Sequence, residues 1–248
     1  MYRFFVDSKS INGSRVVITG KDAHHIKDVL RLGIGDEISV CTGDEWEYTC
    51  EISTMTAGEV SAIIVDTTRP GKELPSKITL YQCLPKKDKL ELIIQKAVEL
   101  GACRIVPVQS ARVIVHLDPK REAARVERWN AIAKAAAKQS GRMFVPEVSG
   151  VFSFEEMLED AKDTDVRIIP YEKSKGMDRT RELIGAIRPG QSVAVVIGPE
   201  GGFEEKEIEK AEKAGFTPIS LGKRILRTET AGMSVLSVLG FMLDDRSN

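Results

Sequence analysis

A chain of 248 residues with 42% hydrophobic and 29% charged residues is globular in composition and long enough for one large domain or two ordinary ones. No apolar run reaches the length of a membrane span, and Arg3 and Asp7 interrupt any signal-peptide pattern at the N-terminus, so a cytoplasmic protein without a membrane partner is expected. The net charge of −1 excludes a uniformly basic nucleic-acid binder, but the charge is uneven, with 7 Lys/Arg against 11 Asp/Glu in residues 1–70 and 29 against 26 in the rest.

Short strand-like runs, separated by Gly, Asp and Asn turns, occupy residues 1 to about 70: Arg3 to Val6, Arg15 to Thr19, Glu37 to Thr42, Tyr48 to Ser53 and Val60 to Thr67. Many short strands with tight turns predict a small β-barrel. Between them, His24 to Arg31 reads as one short helix closed by Gly33. Adjacent positions on a helix point about 100° apart, so His24 and His25 do not form a metal pair. Cys41, Cys50, Cys83 and Cys103 show no Cys-x-x-Cys spacing and fall in expected strands, which predicts buried thiols rather than zinc ligands. The Pro/Gly-rich stretch Arg69 to Pro75 marks the boundary between a first domain, residues 1–70, and a second, residues 71–248.

Beyond that joint the rhythm changes to alternating strand and helix. Lys77 to Leu84 predicts a strand, and Lys87 to Leu100 an amphipathic helix with Leu90, Ile93, Ile94, Ala97 and Val98 on one face. Gly101 ends that helix and Arg104 to Val108 is the next strand, the order of βαβ units in a parallel sheet. Asp118-Pro119 supplies an N-cap and a first-turn proline for a helix running to about Gln139, with Ala124, Trp129, Ile132 and Ala136 as candidate core residues. From Pro119 to Arg142 there are 7 basic and 2 acidic residues, read either as a solvated helix face or as a surface for nucleic-acid phosphates. Ser153-x-x-Glu156 is a capping box, Val166 to Pro170 a strand running out into Tyr171-Glu172-Lys173, and Asp178 to Ile187 a further helix.

The most informative stretch is residues 192–243. Val193 to Ile197 is a continuous apolar run, the pattern of a strand buried on both faces, and it stops at Gly198-Pro199-Glu200-Gly201-Gly202. A charged helix from Glu204 to Ala214 follows, ended by Gly215, then a short strand from Thr217 to Leu221 and a second loop, Gly222 to Ala231, carrying Arg224, Arg227 and Glu229. Ligands of open α/β sheets sit where strands spill into such loops at their C-terminal ends. Neither loop is Gly-x-x-x-x-Gly-Lys-Ser/Thr or Gly-x-Gly-x-x-Gly, which argues against a nucleoside triphosphate or NAD. The last segment, Thr230 to Leu243, is apolar on most sides, more than one small domain covers, and predicts a homodimer interface.

The two loops, Ile197 to Phe203 and Leu221 to Ala231, closely resemble those of the RsmE family, ribosomal RNA small-subunit methyltransferases of the SPOUT class that act on uridine N3. The opening Arg3-Phe4-Phe5-Val6, the His24 to Arg31 stretch, Gln109 to Arg112 and Lys138 to Arg142 match the family pattern as well, so the resemblance spans the whole chain. It implies a PUA-like β-barrel that binds RNA, followed by a parallel-sheet α/β domain with a trefoil knot, a topology that periodicity alone does not reveal. It also implies S-adenosylmethionine as cofactor, no metal, and 16S ribosomal RNA or the small ribosomal subunit as partner.

Carried over residue by residue, the resemblance assigns cofactor binding to Ile197, Gly198, Pro199, Glu200, Gly201, Leu221, Gly222, Ile225, Leu226, Thr228 and Ala231. Tyr171 and Glu172 approach its methionine end, and Ile197, Leu221, Ile225 and Leu226 enclose the adenine. RNA contact is expected from Arg3, Arg31, Arg112, Arg121, Arg125, Arg128, Lys138 and Arg142. Uridine N3 is a poor nucleophile until its proton leaves, so the chemistry calls for a base or for stabilisation of the resulting anion. Glu229 as base and Arg227 as anion stabiliser are the candidates, against the alternative that the two pair with each other. An RNA-binding protein without catalysis, and a SPOUT enzyme acting on a different RNA base, are the competing readings.

Overall fold

Alternation of apolar and polar residues builds the first of two sheets. In β3 (Arg15–Thr19) Val16 and Ile18 are buried while Arg15 and Thr19 are exposed, the period-two pattern of a strand with one face in a core. The computed structural model describes residues 1–69, 71–114 and 119–244, divided into two units. The first unit is Met1–Glu73 together with Ala137–Val145. It contains β1 (Tyr2–Phe5), β2 (Ile11–Asn12), β3, β4 (Glu37–Cys41), β5 (Glu47–Met55) and β6 (Glu59–Thr68), in the order β1-β4-β5-β6-β3-β2. The β1–β4 ladder is parallel and the others antiparallel, with Phe4, Ile18, Ile26, Ile38, Val40 and Ile52 in the shared core. Irregular pairing of β5 with β6 near Thr49 and Thr54 bends the sheet. The six strands form one bent sheet, and among the described residues no ladder joins β1 to β2.

The expected helix from His24 to Arg31 is displaced. Gly20, at φ 64, turns the chain off β3 directly into α1 (Gly20–His24). The helix then widens over His25–Val29, where the Leu30 amide reaches the His25 carbonyl five residues back at 2.9 Å, and Arg31 stands exposed at φ 56. The histidines part as expected: His24 pairs with Asp28 at 2.6 Å on the surface, and the His25 ring stands edge-on to Phe4.

Buried cations tie Ala137–Val145 into this unit. Arg3 donates to the carbonyls of Gly141 (2.5 Å) and Arg142 (2.7 Å) and pairs with Glu47, leaving its side chain 8% exposed. Burial pushes the Glu47 carboxyl up, but hydrogen bonds from Ser39, Arg3 and Lys72 outweigh it and hold the group below its ordinary value. Arg142, 6% exposed, places Nε 2.8 and 2.9 Å from the two Glu73 oxygens, and the Met143 amide donates to the same carboxylate. Arg3 and Arg142 are therefore corrected from candidate RNA contacts to internal ion pairs, because a buried charge is stable only when an opposite charge lies against it. Lys138 is half-buried on Asp22 and lies 4.7 Å from the centre of the Phe4 ring.

The second unit is Leu74–Ala136 with the described chain from Pro146 onward. Its strands are β7 (Ile78–Cys83), β8 (Arg104–Gln109), β9 (Glu147–Val148), β10 (Phe152–Ser153), β11 (Val166–Pro170), β12 (Val193–Ile197) and β13 (Thr217–Ile219). They run β10-β8-β7-β12-β11-β13, with β9 beside β10 on the same edge of β8, and every ladder is parallel. Every residue of β12 is buried, as its unbroken apolar run requires in a sheet covered on both faces. The helices are α2 (Lys89–Glu99), α3 (Pro119–Ser140), α4 (Phe154–Asp160), α5 (Asp178–Ala186), α6 (Glu205–Lys213) and α7 (Thr228–Leu243). Ser153 and Glu156 form the expected capping box on α4, and Gly101 and Gly215 follow α2 and α6 at φ 93 and 83.

Some details differ from the sequence reading. Ala124 is exposed, and Ala133 joins Trp129 and Ala136 in the core. Cys103 lies just outside β8 and is half-buried; Cys41, Cys50 and Cys83 are buried, and burial pushes the thiols of Cys50 and Cys83 up to about 12. Asp118, the expected cap of α3, and Pro70 of the expected joint lie outside the described residues. Glu73→Ala removes the carboxylate that pairs with the buried Arg142 guanidinium; urea unfolding is expected to show a loss of about 3 kcal/mol.

Candidate active site

A parallel sheet brings the C-terminal ends of all its strands to one edge. The loops after β11, β12 and β13 there line a cleft of about 550 Å³, joined by Lys89 at the start of α2. Pro170, Tyr171 and Glu172 come from the first loop, residues 197–203 from the second, residues 220–228 from the third, and Ala231 from α7. All thirteen residues expected to hold the cofactor lie on this wall, as does Arg227. The two loops singled out by composition thus meet in space although a helix and a strand separate them in the chain.

The loop after β12 is shaped by close packing. A Cβ on Gly198 would stand 2.9 Å from the Phe203 ring, so only glycine lets that ring close beneath the loop. Gly202, at φ 68, donates to the Pro199 carbonyl at 2.9 Å, and a Cβ there would meet Glu172 Oε1 at 2.9 Å. A hydrogen-bonded chain then fastens this loop to α7 and β7. The Thr228 hydroxyl donates to the Gly198 carbonyl at 2.6 Å and accepts from Gln82 Nε2 at 2.9 Å, and both side chains are buried. The sequence reading missed Gln82; a polar residue inside an otherwise apolar strand was the available signal.

Charge organises the other side. Glu200 Oε1 accepts from the Lys86 amide at 3.1 Å and from Lys89 Nζ at 3.2 Å. Burial pushes the Glu200 carboxyl up, but its own amide, the Lys86 amide and Lys89 outweigh that and hold it below the ordinary value. Lys89 Nζ also lies 3.5 Å from Glu229 Oε2, a charge contact without hydrogen-bond geometry, since that oxygen is buried and has no hydrogen-bond partner. Glu229, offered as the base, makes its charge contact with Lys89 and not with Arg227 as the alternative had it, and it is not among the residues lining the cleft. The first turn of α7 directs it toward α2, on which α7 packs. Ile225, expected to flank the adenine, borders the cleft and is 93% exposed.

Among the other predicted residues, Arg112 donates to the Gly201 carbonyl at 2.8 Å and remains largely exposed at the cleft rim. Its loop is anchored by buried Glu207, which accepts from the amides of Ala111 and Glu204, both at 2.9 Å. Arg121, Arg125 and Arg128 lie exposed along α3, with Arg128 bidentate on Glu91. Among the described residues, no three His, Cys, Asp or Glu side chains gather as a metal site. The cleft fits S-adenosylmethionine in kind: Ile197, Leu221, Leu226 and Ala231 supply apolar surface, and glycines leave the backbone of both loops open to close approach.

Comparison with known proteins agrees with this arrangement. The RNA methyltransferase domain family matches residues 72–240, and the RNA methyltransferase PUA domain family matches residues 18–65. Fold and cleft together thus define an α/β RNA methyltransferase with an N-terminal PUA domain. The ribosomal RNA small subunit methyltransferase E of Bacillus subtilis is 40% identical over 230 residues, covering 92% of this chain and 90% of its own length. The crystal structure of that enzyme from Neisseria gonorrhoeae bound to S-adenosyl methionine has a TM-score of 0.83 at 33% identity, covering 96% of both chains. A Legionella pneumophila methyltransferase, Lpg2936, in complex with bound SAM, has a TM-score of 0.84 at 31% identity, again covering 96% of both. The chain belongs to the ribosomal RNA small subunit methyltransferase E family.

Thr228→Val keeps the shape of the side chain but removes both hydrogen bonds of the hydroxyl, leaving the Gln82 amide buried without it. Chemical denaturation is expected to register a loss of about 2 kcal/mol.

Proposed function

We propose that the protein uses S-adenosylmethionine to methylate N3 of a uridine in 16S ribosomal RNA of the small subunit. The observation that carries this is the meeting of the β12 and β13 loops in one cleft at the C-terminal edge of a parallel sheet. When bound, the cofactor supplies a methyl group activated by its sulfonium. The residues of the chain align and shield the transfer, which needs no covalent protein intermediate.

In this reading Ile197, Leu221 and Leu226 hold the adenosine, with Gly198, Pro199, Glu200, Gly201, Gly222, Thr228 and Ala231 shaping the loops around it, and Tyr171 and Glu172 close the other end. Ile225 gains cover only when the cleft or its rim is occupied, and we assign it to contact with ligand or RNA. Arg227, exposed on the wall, faces negative charge on the base or its phosphates. Arg31, Arg112, Arg121, Arg125 and Arg128 supply the RNA-facing cations; Lys138, held on Asp22, is secondary. The first domain, residues 1–70, reads RNA shape, and the second, residues 71–248, carries the chemistry within the trefoil knot of the SPOUT class.

The target uridine is unpaired or drawn out of its stack, because base pairing would occupy N3. A homodimer accounts for the apolar surface left on α7, where Val235, Leu236 and Leu239 are buried but Val238, Phe241 and Met242 are exposed, with Leu92 exposed on the neighbouring α2. No helix among the described residues is long and apolar enough to cross a membrane, and we place the enzyme in the cytoplasm with its ribosomal substrate.

Calorimetric titration with S-adenosylmethionine is expected to show binding in the micromolar range, and labelled cofactor with small subunits lacking the modification is expected to mark one uridine at N3. Absence of binding would favour an RNA-binding protein without catalysis, and a label on another base would favour the alternative substrate. Arg227→Ala is expected to slow single-turnover methylation at least tenfold while cofactor affinity stays within about threefold.

A further inference from the structure

The loop residues that resemblance singles out leave Lys89, on the cleft wall, without a role. Lys89 comes from the first turn of α2, far in sequence from both loops, and its side chain is 32% exposed. Two carboxylates from different elements approach its ammonium, Glu200 at 3.2 Å and Glu229 at 3.5 Å. An ammonium carries three N–H donors. Glu200 accepts one, and the Glu229 contact lacks hydrogen-bond geometry, so donor capacity remains on a group bordering the cleft.

We propose that Lys89 is a catalytic residue of the methyl transfer, donating a hydrogen bond to a carbonyl oxygen of the target base as that base becomes an anion. This rests on the uridine-N3 reading above. An imide nitrogen between two carbonyls becomes nucleophilic on losing its proton, and the charge then spreads onto the oxygens, where a fixed cation acts most strongly. Glu200 and Glu229 hold the ammonium at the wall. The other charged side chains bordering the cleft, Glu172, Lys223, Arg224 and Arg227, are exposed, whereas the Lys89 side chain is only 32% exposed. In the step itself, N3 releases its proton to water and forms its bond to the methyl carbon. The sulfur–methyl bond breaks, and the sulfur keeps the electron pair. Base anion and sulfonium thereby end as two neutral groups.

The test compares wild-type protein with Lys89→Met and Lys89→Arg. It measures cofactor affinity by calorimetry and single-turnover methylation on two RNAs, one with uridine and one with 5-fluorouridine at the target. The fluorine makes the imide more acidic, so a variant lacking anion stabilisation gains more from it than the wild type does. Lys89→Met is expected to slow methylation of the uridine RNA about a hundredfold, with cofactor affinity within about threefold. Lys89→Arg is expected to recover part of the rate, and 5-fluorouridine to shrink the methionine variant's deficit. Three outcomes overturn the proposal: a methionine variant within threefold of wild type, the same deficit on both RNAs, or a rate loss matched by loss of cofactor binding. Wild-type protein that leaves uridine N3 unmethylated overturns the functional reading as well, so the two failures are separable.

Discussion

The cleft depends on one hydroxyl. Thr228 joins the loop after β12, the first turn of α7 and the end of β7, three segments separated by 30 to 146 positions in the chain. Its partners are buried, where water does not compete and an unmade hydrogen bond costs its full desolvation. Through it the apolar end of α7, which supplies much of the core against α2 and β12, sets the position of the glycine-rich loop that lines the cleft. Packing in the interior and geometry at the site are thereby one problem.

The ionic cluster on the other wall works differently. Lys89, Glu200 and Glu229 are each only partly exposed, with side-chain values of 32%, 27% and 15%. Partial burial weakens screening, so the one ammonium holds two carboxylates from different elements. The Lys86 amide adds a fixed dipole on Glu200, so the loop after β12 is held from both sides of the β7–α2 connection. A loop held in this way keeps its backbone groups in place before the ligand arrives, which lowers the ordering cost of binding.

Charge in the first unit shows why total composition misleads. Arg3 and Arg142 count toward a basic surface in the sequence, yet both are folded inward onto Glu47, Glu73 and backbone carbonyls. The segment Ala137–Val145 belongs to that unit although it lies beyond Glu73 by more than sixty positions. Such an exchange is invisible to a boundary argument based on Pro and Gly, because linker composition reports where the chain turns and not where it returns.

By itself the sequence determined the longer strands and most helices of both units to within a few residues, though not β2, β9 or β10, and with them the parallel character of the second sheet and the two loops that line the cleft. These are encoded locally, in hydrophobic period, capping residues and glycine placement, which act over a few neighbouring positions. The widened turn at His25–Val29 escaped because hydrophobic period and capping residues mark a helix without fixing which carbonyl each amide meets. Tertiary structure alone decided which charges pair: that Glu229 meets Lys89 and not Arg227, that Arg3 and Arg142 are interior, and that Gln82 reaches Thr228. The reason is physical. Charge pairing and buried hydrogen bonds follow distance in space, and that distance exists only after the sheet has brought remote segments to one edge.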